Sequence, residues 1–149
     1  MKKLRKIALA AFLFLPVSVF AEGMVGTAVL LDTLGVYNAY YQHKLSNKGN
    51  VVFAVGNISG SYLGSTVSAT SFAVSYKGYL DKYADGGYWQ IGGSTINVSA
   101  GSLAVTGFQP LAVVGYEKTL GTSFVLGGEI GYGTGGGWGY LGLNAAFKF

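Results

Sequence analysis

Apolar and polar side chains alternate along much of this chain, and the period is two. Tyr37, Ala39, Tyr41, His43 and Leu45 share one side of an extended segment, and Asn38, Tyr40, Gln42 and Lys44 share the other. Phe72, Val74 and Tyr76 alternate with Ser71, Ala73, Ser75 and Lys77. Ala112, Val114 and Tyr116 alternate with Val113, Gly115 and Glu117. Phe124, Leu126, Gly128, Ile130 and Tyr132 alternate with Val125, Gly127, Glu129 and Gly131. Successive strand side chains point to opposite faces, so this period predicts β-strands with one apolar and one small or polar face. Eight strands are predicted, near 24–32, 36–45, 50–59, 66–79, 87–97, 103–119, 123–132 and 138–149. The apolar phase slips between Gly92 and Pro110, and a bulge at Gly92-Gly93 is expected to absorb it. An amphipathic sandwich has the same period, so alternation alone leaves the architecture open.

Charge spacing narrows it. Residues 49–76 and 86–116 carry no Asp, Glu, Lys or Arg. Both stretches are rich in Gly, Ser, Thr and Asn, a composition that forms helices poorly and inserts into lipid poorly as a helix. A strand crosses a bilayer in ~9–11 residues, so each stretch accommodates two strands and an outer connection. The charge clusters at Lys44 to Lys48, Lys77 to Asp85 and Glu117-Lys118 then mark one side. Their neighbours are turn formers: Ser46-Asn47-Lys48-Gly49-Asn50, Asp81 to Gly87, and Leu120-Gly121-Thr122-Ser123. The predicted fold class is all-β, a transmembrane antiparallel up-and-down β-barrel of eight strands with both termini on the turn side. Even strand counts are the rule for such barrels. Eight strands enclose an interior that side chains fill. The outer connections are expected to be short and almost uncharged.

The N-terminus is read separately. Lys2, Lys3, Arg5 and Lys6 precede an apolar run from Ile7 to Leu15, then Pro16 and Val19-Phe20-Ala21. This is the three-part pattern of a secretory signal peptide cleaved after Ala21. The domain organisation expected is a cleaved segment, 1–21, and a barrel, 22–149. Cleavage removes four of the ten basic residues, and the remaining lysines balance the six acids. The basic character of the whole chain therefore carries no argument for nucleic acid. There is no Cys, hence no disulfide framework and no thiolate metal site.

The last residues carry the most specific signal. Leu141, Leu143, Ala145, Phe147 and Phe149 alternate with Gly142, Asn144, Ala146 and Lys148, and Phe149 ends the sequence. This resembles the C-terminal signature of bacterial outer-membrane β-barrel proteins, a terminal aromatic with apolar residues at every second position before it. The resemblance implies an assembly signal at Leu141, Leu143, Ala145, Phe147 and Phe149. It also implies outer-membrane localisation, contact with outer-membrane lipid, and the barrel-assembly machinery and periplasmic chaperones as partners in biogenesis. It reaches no subfamily.

Candidate chemistry is sparse. Gly131-Tyr132-Gly133-Thr134-Gly135-Gly136 fits G-x-G-x-x-G, but no helix is predicted after it, so it is read as an outer loop and not a dinucleotide site. His43 is the single histidine. Some outer-membrane barrels deacylate lipid A and place their His two residues before their Ser; here His43-Lys44-Leu45-Ser46 puts the Ser one residue too late. His43 beside Tyr41 reads instead as an interfacial side chain. Asp32 and Glu129 are both predicted to face the interior in the outer half, with the lysines toward the turn side. They form a possible polar site at the barrel mouth, either hydrogen-bonded to interior Tyr, Ser, Asn and water or able to hold a cation or polar ligand. No catalytic residue, cofactor or metal is expected. The function expected is a non-enzymatic outer-membrane role, structural or at the surface. The alternatives are a surface-binding or adhesion module using Tyr62 and Trp138, and a lipid-modifying enzyme.

Overall fold

The computed structural model describes residues 22–29, 36–62, 65–133 and 139–149. Eight strands run in chain order: β1 (Gly23–Ala28), β2 (Val36–Lys44), β3 (Gly49–Tyr62), β4 (Ser65–Tyr79), β5 (Gly86–Ala100), β6 (Leu103–Leu120), β7 (Phe124–Tyr132) and β8 (Gly139–Lys148). Each pairs antiparallel with the next, and β1 pairs with β8, so the sheet is a closed barrel. Closure satisfies the backbone of every strand edge. The predicted strand count and up-and-down order are those observed. Residues 1–21 and the expected end of the first strand, beyond Val29, lie outside the described residues.

The alternation maps onto the wall as the sequence predicts. Phe72, Val74, Leu126, Ile130, Leu141 and Leu143 all project outward and are exposed. Gln42, Ser75, Lys77, Glu117, Val125 and Asn144 project inward and are buried. Three connections, the start of β1 and the C-terminal Phe149 share one rim. There, Ser46 Oγ accepts from the Gly49 amide at 2.8 Å, closing the β2–β3 turn. The β4–β5 turn folds into the barrel end: Ala84 is fully buried, in a left-handed conformation (φ 57°), and its carbonyl accepts from Thr119 Oγ1 at 2.6 Å. Ala84 packs with Met24, Val125 and Ala146, flanked by Tyr40 and Tyr83, so this rim is plugged by side chains.

At the seam the C-terminal residue takes part directly. The Gly23 and Phe149 backbones exchange two hydrogen bonds of 3.0 Å. The rings of Phe147 and Phe124 stand 5.4 Å apart on the outer surface of β8 and β7.

Two expectations about β3–β6 need correction. No bulge occurs at Gly92-Gly93: β5 pairs continuously with β4 (Ser75 with Gly92, Val74 with Gly93) and with β6 (Leu111 with Gly92, Pro110 with Gly93). In addition, the strands run on through segments expected to be outer loops, so that β3 reaches Tyr62 and β5 reaches Ala100. The phase slip has a different cause, which is a reversal of polarity. On the outward face beyond Val55, Phe72 and Phe108 come Asn57, Ser59, Thr70, Asn97, Ser99 and Thr106. They are laced by Asn57 Nδ2 to Thr70 Oγ1 (3.0 Å), Ser68 Oγ to Ser99 Oγ (2.8 Å) and Thr106 Oγ1 to Asn97 Oδ1. The face continuing the barrel interior carries Ile58, Val67, Ile96, Val98, Val105 and Leu103. Among the described residues, the flanking strands β7 and β2 do not rise as far: β7 ends at Tyr132, opposite Ala112, and β2 begins at Val36, opposite Ile58. β3–β6 therefore stand as a half-wall above the outer mouth.

Candidate functional site

The barrel interior divides into a packed polar lower half and a cavity that opens toward the outer end. The lower half is a chain of side chains spanning the lumen. Lys77 (β4) donates to Glu117 Oε1 (β6), and Tyr79 (β4) donates to Glu117 Oε2. Gln42 Nε2 (β2) donates to Tyr79 Oη at 3.0 Å. The Lys77 ammonium lies 3.7 Å from the centroid of the Tyr88 ring (β5), a desolvated cation–π contact. Tyr88 Oη in turn donates to Glu129 Oε2 (β7). The Lys77 and Glu117 side chains are only 4% and 1% exposed, so both charges are out of water and depend on this pairing.

Glycines make the network possible. A Cβ at Gly115 would lie 2.6 Å from the Tyr88 ring, and one at Gly26 would lie 2.6 Å from that of Tyr40. Large phenols on one strand thus occupy the space that glycine leaves on its neighbour. The same reasoning holds for Gly127, where a Cβ would come within 2.7 Å of Glu117 Cγ.

Above the network lies a cavity of about 340 Å³. Val52, Ala54, Ala73, Leu111, Ile58 and Ile96 provide apolar lining, and Gln42, Lys77, Gln90, Glu129 and Asn144 provide the polar part. Gln42 is fully buried and its Oε1 has no hydrogen-bond partner among the described residues. Among the described residues, no group of three or more His, Asp or Glu is placed to hold a metal ion.

Of the residues singled out from sequence, Glu129 lies inside the barrel and lines this cavity, accepting from Tyr88 Oη. Asp32 and Trp138 lie outside the described residues, as does the side chain of Tyr62, whose backbone ends β3. The proposed pairing of Asp32 with Glu129 at one mouth is therefore not drawn from the structure. His43 and Ser46 do not form a nucleophile–base pair. His43 Nδ1 contacts Tyr41 Oη at 3.0 Å, while Ser46 Oγ caps its turn. Leu141, Leu143 and Phe147 are exposed on the outer surface of β8, with Ala145 in the same phase. Gly131 and Tyr132 of the glycine-rich motif belong to β7, and 134–136 lie outside the described residues.

The principal omission was the Lys77–Glu117 pair. Sequence reasoning put all lysines toward the turn side, leaving interior carboxylates without a cation. Both residues already stood on the small or polar face of their strands. Their partnership was invisible because β4 and β6 are not hydrogen-bonded neighbours, and the pair meets across the lumen.

No protein-family model matches the sequence, and no curated protein matches it. Among solved structures, the N-terminal β-barrel domain of Pseudomonas aeruginosa OprF aligns with a TM-score of 0.59 at 14% identity, over 86% of this chain and 94% of that one. Ail, the attachment invasion locus protein of Yersinia pestis, aligns with a TM-score of 0.44 at 12% identity, over 86% of this chain and 95% of that one. At these identities the OprF likeness bears on the fold alone, and it agrees with the closed antiparallel barrel described above.

Proposed function

We propose that this chain is a β-barrel of the bacterial outer membrane, with a non-enzymatic role that is structural or exercised at the cell surface. The observation that carries this reading is the apolar outer wall. Outward residues such as Phe53, Val74, Ile91, Val114, Leu126 and Leu143 are each about half exposed and encircle the barrel. A water-soluble domain rarely leaves so large a continuous apolar surface uncovered. A barrel in lipid requires one, with its backbone satisfied by closure. Export by removal of 1–21 and assembly through the last strand belong to the same reading. The backbone bonds of Phe149 across the seam give that residue a role in closure.

The test is fractionation of cells expressing the full chain. The protein should resist extraction by carbonate and urea, and begin at Glu22. It should also migrate differently on gels with and without boiling. Deleting Phe149 should lower the folded membrane fraction severalfold. A soluble periplasmic protein with an intact wall would refute the proposal.

A surface-binding role is the second reading, and the half-wall of β3–β6 favours it. Among the described residues, no constellation favours lipid modification.

A further inference from the structure

The geometry points to a phospholipid headgroup site on the outer wall at the turn side, where Lys48, Tyr76 and Trp89 surround the paired Gly49 and Gly78 and offer donors to a lipid phosphate. The inference rests on the membrane reading above and deepens it, by naming one lipid contact of that wall. The strands and turns that form the niche lie wholly within the described residues.

Glycine makes the niche. Gly49 of β3 and Gly78 of β4 are direct partners in the ladder, on strands about 5 Å apart. Both continue the outward phase of their strands, which higher up carries Phe53 on β3 and Val74 and Tyr76 on β4. Neither has a side chain, and larger neighbours lean into the space. A Cβ on Gly49 would collide with Tyr76 Oη and lie 3.1 Å from Ser46 Oγ. A Cβ on Gly78 would lie 2.5 Å from Trp89 Cε2 and 2.9 Å from its Nε1. The phenol and the indole stand side by side, with ring centroids 5.6 Å apart. Their polar atoms are thus held over two adjoining residues of the wall.

Lys48 supplies the charge. It precedes Gly49 in the β2–β3 turn, and its Nζ donates to the Leu80 carbonyl at 2.6 Å, two residues past Gly78. That carbonyl takes one of the three donors of the ammonium. Among the described residues Lys48 joins no ion pair, whereas Lys82 and Lys118 share Asp85 and Lys44 pairs with Glu22. The carboxylate of Asp81, next to Leu80 in sequence, lies against Gly86 instead. Nor does Tyr76 Oη or Trp89 Nε1 have a hydrogen-bond partner among the described residues. Tyrosine and tryptophan at the border of apolar and wet surroundings ordinarily give that polar group a partner.

The chemistry of the partner follows from these groups. Three donors and one unpaired positive charge fit an anion with several acceptor oxygens. Above the niche the wall is apolar and exposed at Phe53, Val74 and Ile91, so a partner that fits both surfaces carries hydrocarbon as well. A phospholipid of the turn-side leaflet has its phosphate at the boundary and its acyl chains along the wall.

The test uses the mature barrel in dodecyl maltoside, a detergent without phosphate. Trp138→Phe leaves Trp89 as the one indole N–H signal in the NMR spectrum. Titration with dihexanoyl-phosphatidylglycerol should shift that signal saturably. Dihexanoylglycerol, with the same tails and no phosphate, should leave it unmoved. Inorganic phosphate, with no tails, should also leave it unmoved at the same concentration. Lys48→Gln should weaken binding about tenfold and Tyr76→Phe about fivefold, as expected for one charge-assisted and one neutral hydrogen bond. Lys118→Gln, which removes a turn-side cation outside the niche, should bind as the parent does. Dihexanoylglycerol shifting the signal as strongly would mean apolar contact alone and would overturn the inference. Inorganic phosphate binding as tightly would make this a free-anion site and overturn it too. So would Lys118→Gln weakening binding as much as Lys48→Gln, which would mean diffuse attraction. A chain that stays dispersed without detergent defeats the membrane reading itself. A barrel that folds in detergent and whose Trp89 signal does not respond defeats this inference alone.

Discussion

The lower barrel and the outer ends of β3–β6 use the same strands with opposite polarity. Around Phe72, Val74 and Tyr76 the apolar side chains point outward, and Ser71, Ser75 and Lys77 point in. A few residues further along the same strand, Thr70 and Ser68 point outward while Ala69 and Val67 point toward the mouth. No bulge resets the register between the two regions; the residues change, and the pleat does not. On the membrane reading proposed above, a strand's apolar face is set by its surroundings at each height, lipid below and water above. A single inside–outside rule for a whole strand fails where it passes from one medium to the other.

The largest effect should come from the buried charge pair of the lower region. Glu117→Leu leaves the Lys77 ammonium buried without its partner and removes the acceptor of Tyr79. It should cost about 3–5 kcal/mol of unfolding stability in lipid vesicles. The double change Lys77→Met with Glu117→Leu should recover most of that loss, since no uncompensated charge remains. A single variant as stable as the parent would show that Lys77 reaches water.

Next comes the contrast between heights on one face. Val74→Arg places a cation in the lipid-facing belt, at roughly 2–4 kcal/mol near the midplane and less toward the interface. Thr70→Arg, outward on the same strand two outward positions higher, should cost under about 1 kcal/mol. Equal costs would remove the boundary drawn between the regions. Leu143→Arg against Asn144→Arg tests inward against outward on β8 in the same way, with Asn144→Arg the milder because its side chain faces the cavity that Glu129 lines.

A smaller loss is expected from Tyr88→Phe. It deletes the donor to Glu129 Oε2 and should cost about 1.5–3 kcal/mol, as for hydrogen bonds to charged groups. Thermal or urea unfolding in the same vesicles measures it. No change would mean that Glu129 draws its stabilisation from other contacts.

The smallest effect lies at the turn rim. Hydrogen bonds from Lys118 and then Lys82 hold the Asp85 carboxyl below its usual range. A lowered folded-state value means that the stabilisation is present above the unfolded value, near 3.8, and is lost as pH falls through the folded one. Asp85→Asn should therefore be slightly less stable than the parent at neutral pH and equal to it in strong acid. A difference that persists unchanged in acid would point to the turn geometry rather than the charge.

The strand number, the up-and-down order and the outward-facing apolar set were legible in the sequence because they depend on local periods. A pleated strand alternates faces whatever its partners, and Leu141 to Phe149 announce their phase without help from the rest of the chain. The interior location of Lys77, Glu117 and Glu129 was legible for the same reason. Their partnerships were not. Lys77 meets Glu117, and Tyr88 meets Glu129, across strands that are not hydrogen-bonded neighbours. Those distances follow from closure of the ring, and from glycines such as Gly115 that let a phenol cross the lumen. The slip near Gly92 was visible in the sequence, but its meaning depended on how far β3–β6 rise above β2 and β7. Only the assembled barrel fixes that height, because it is set by the pairing register between strands and not by the residues of any one of them.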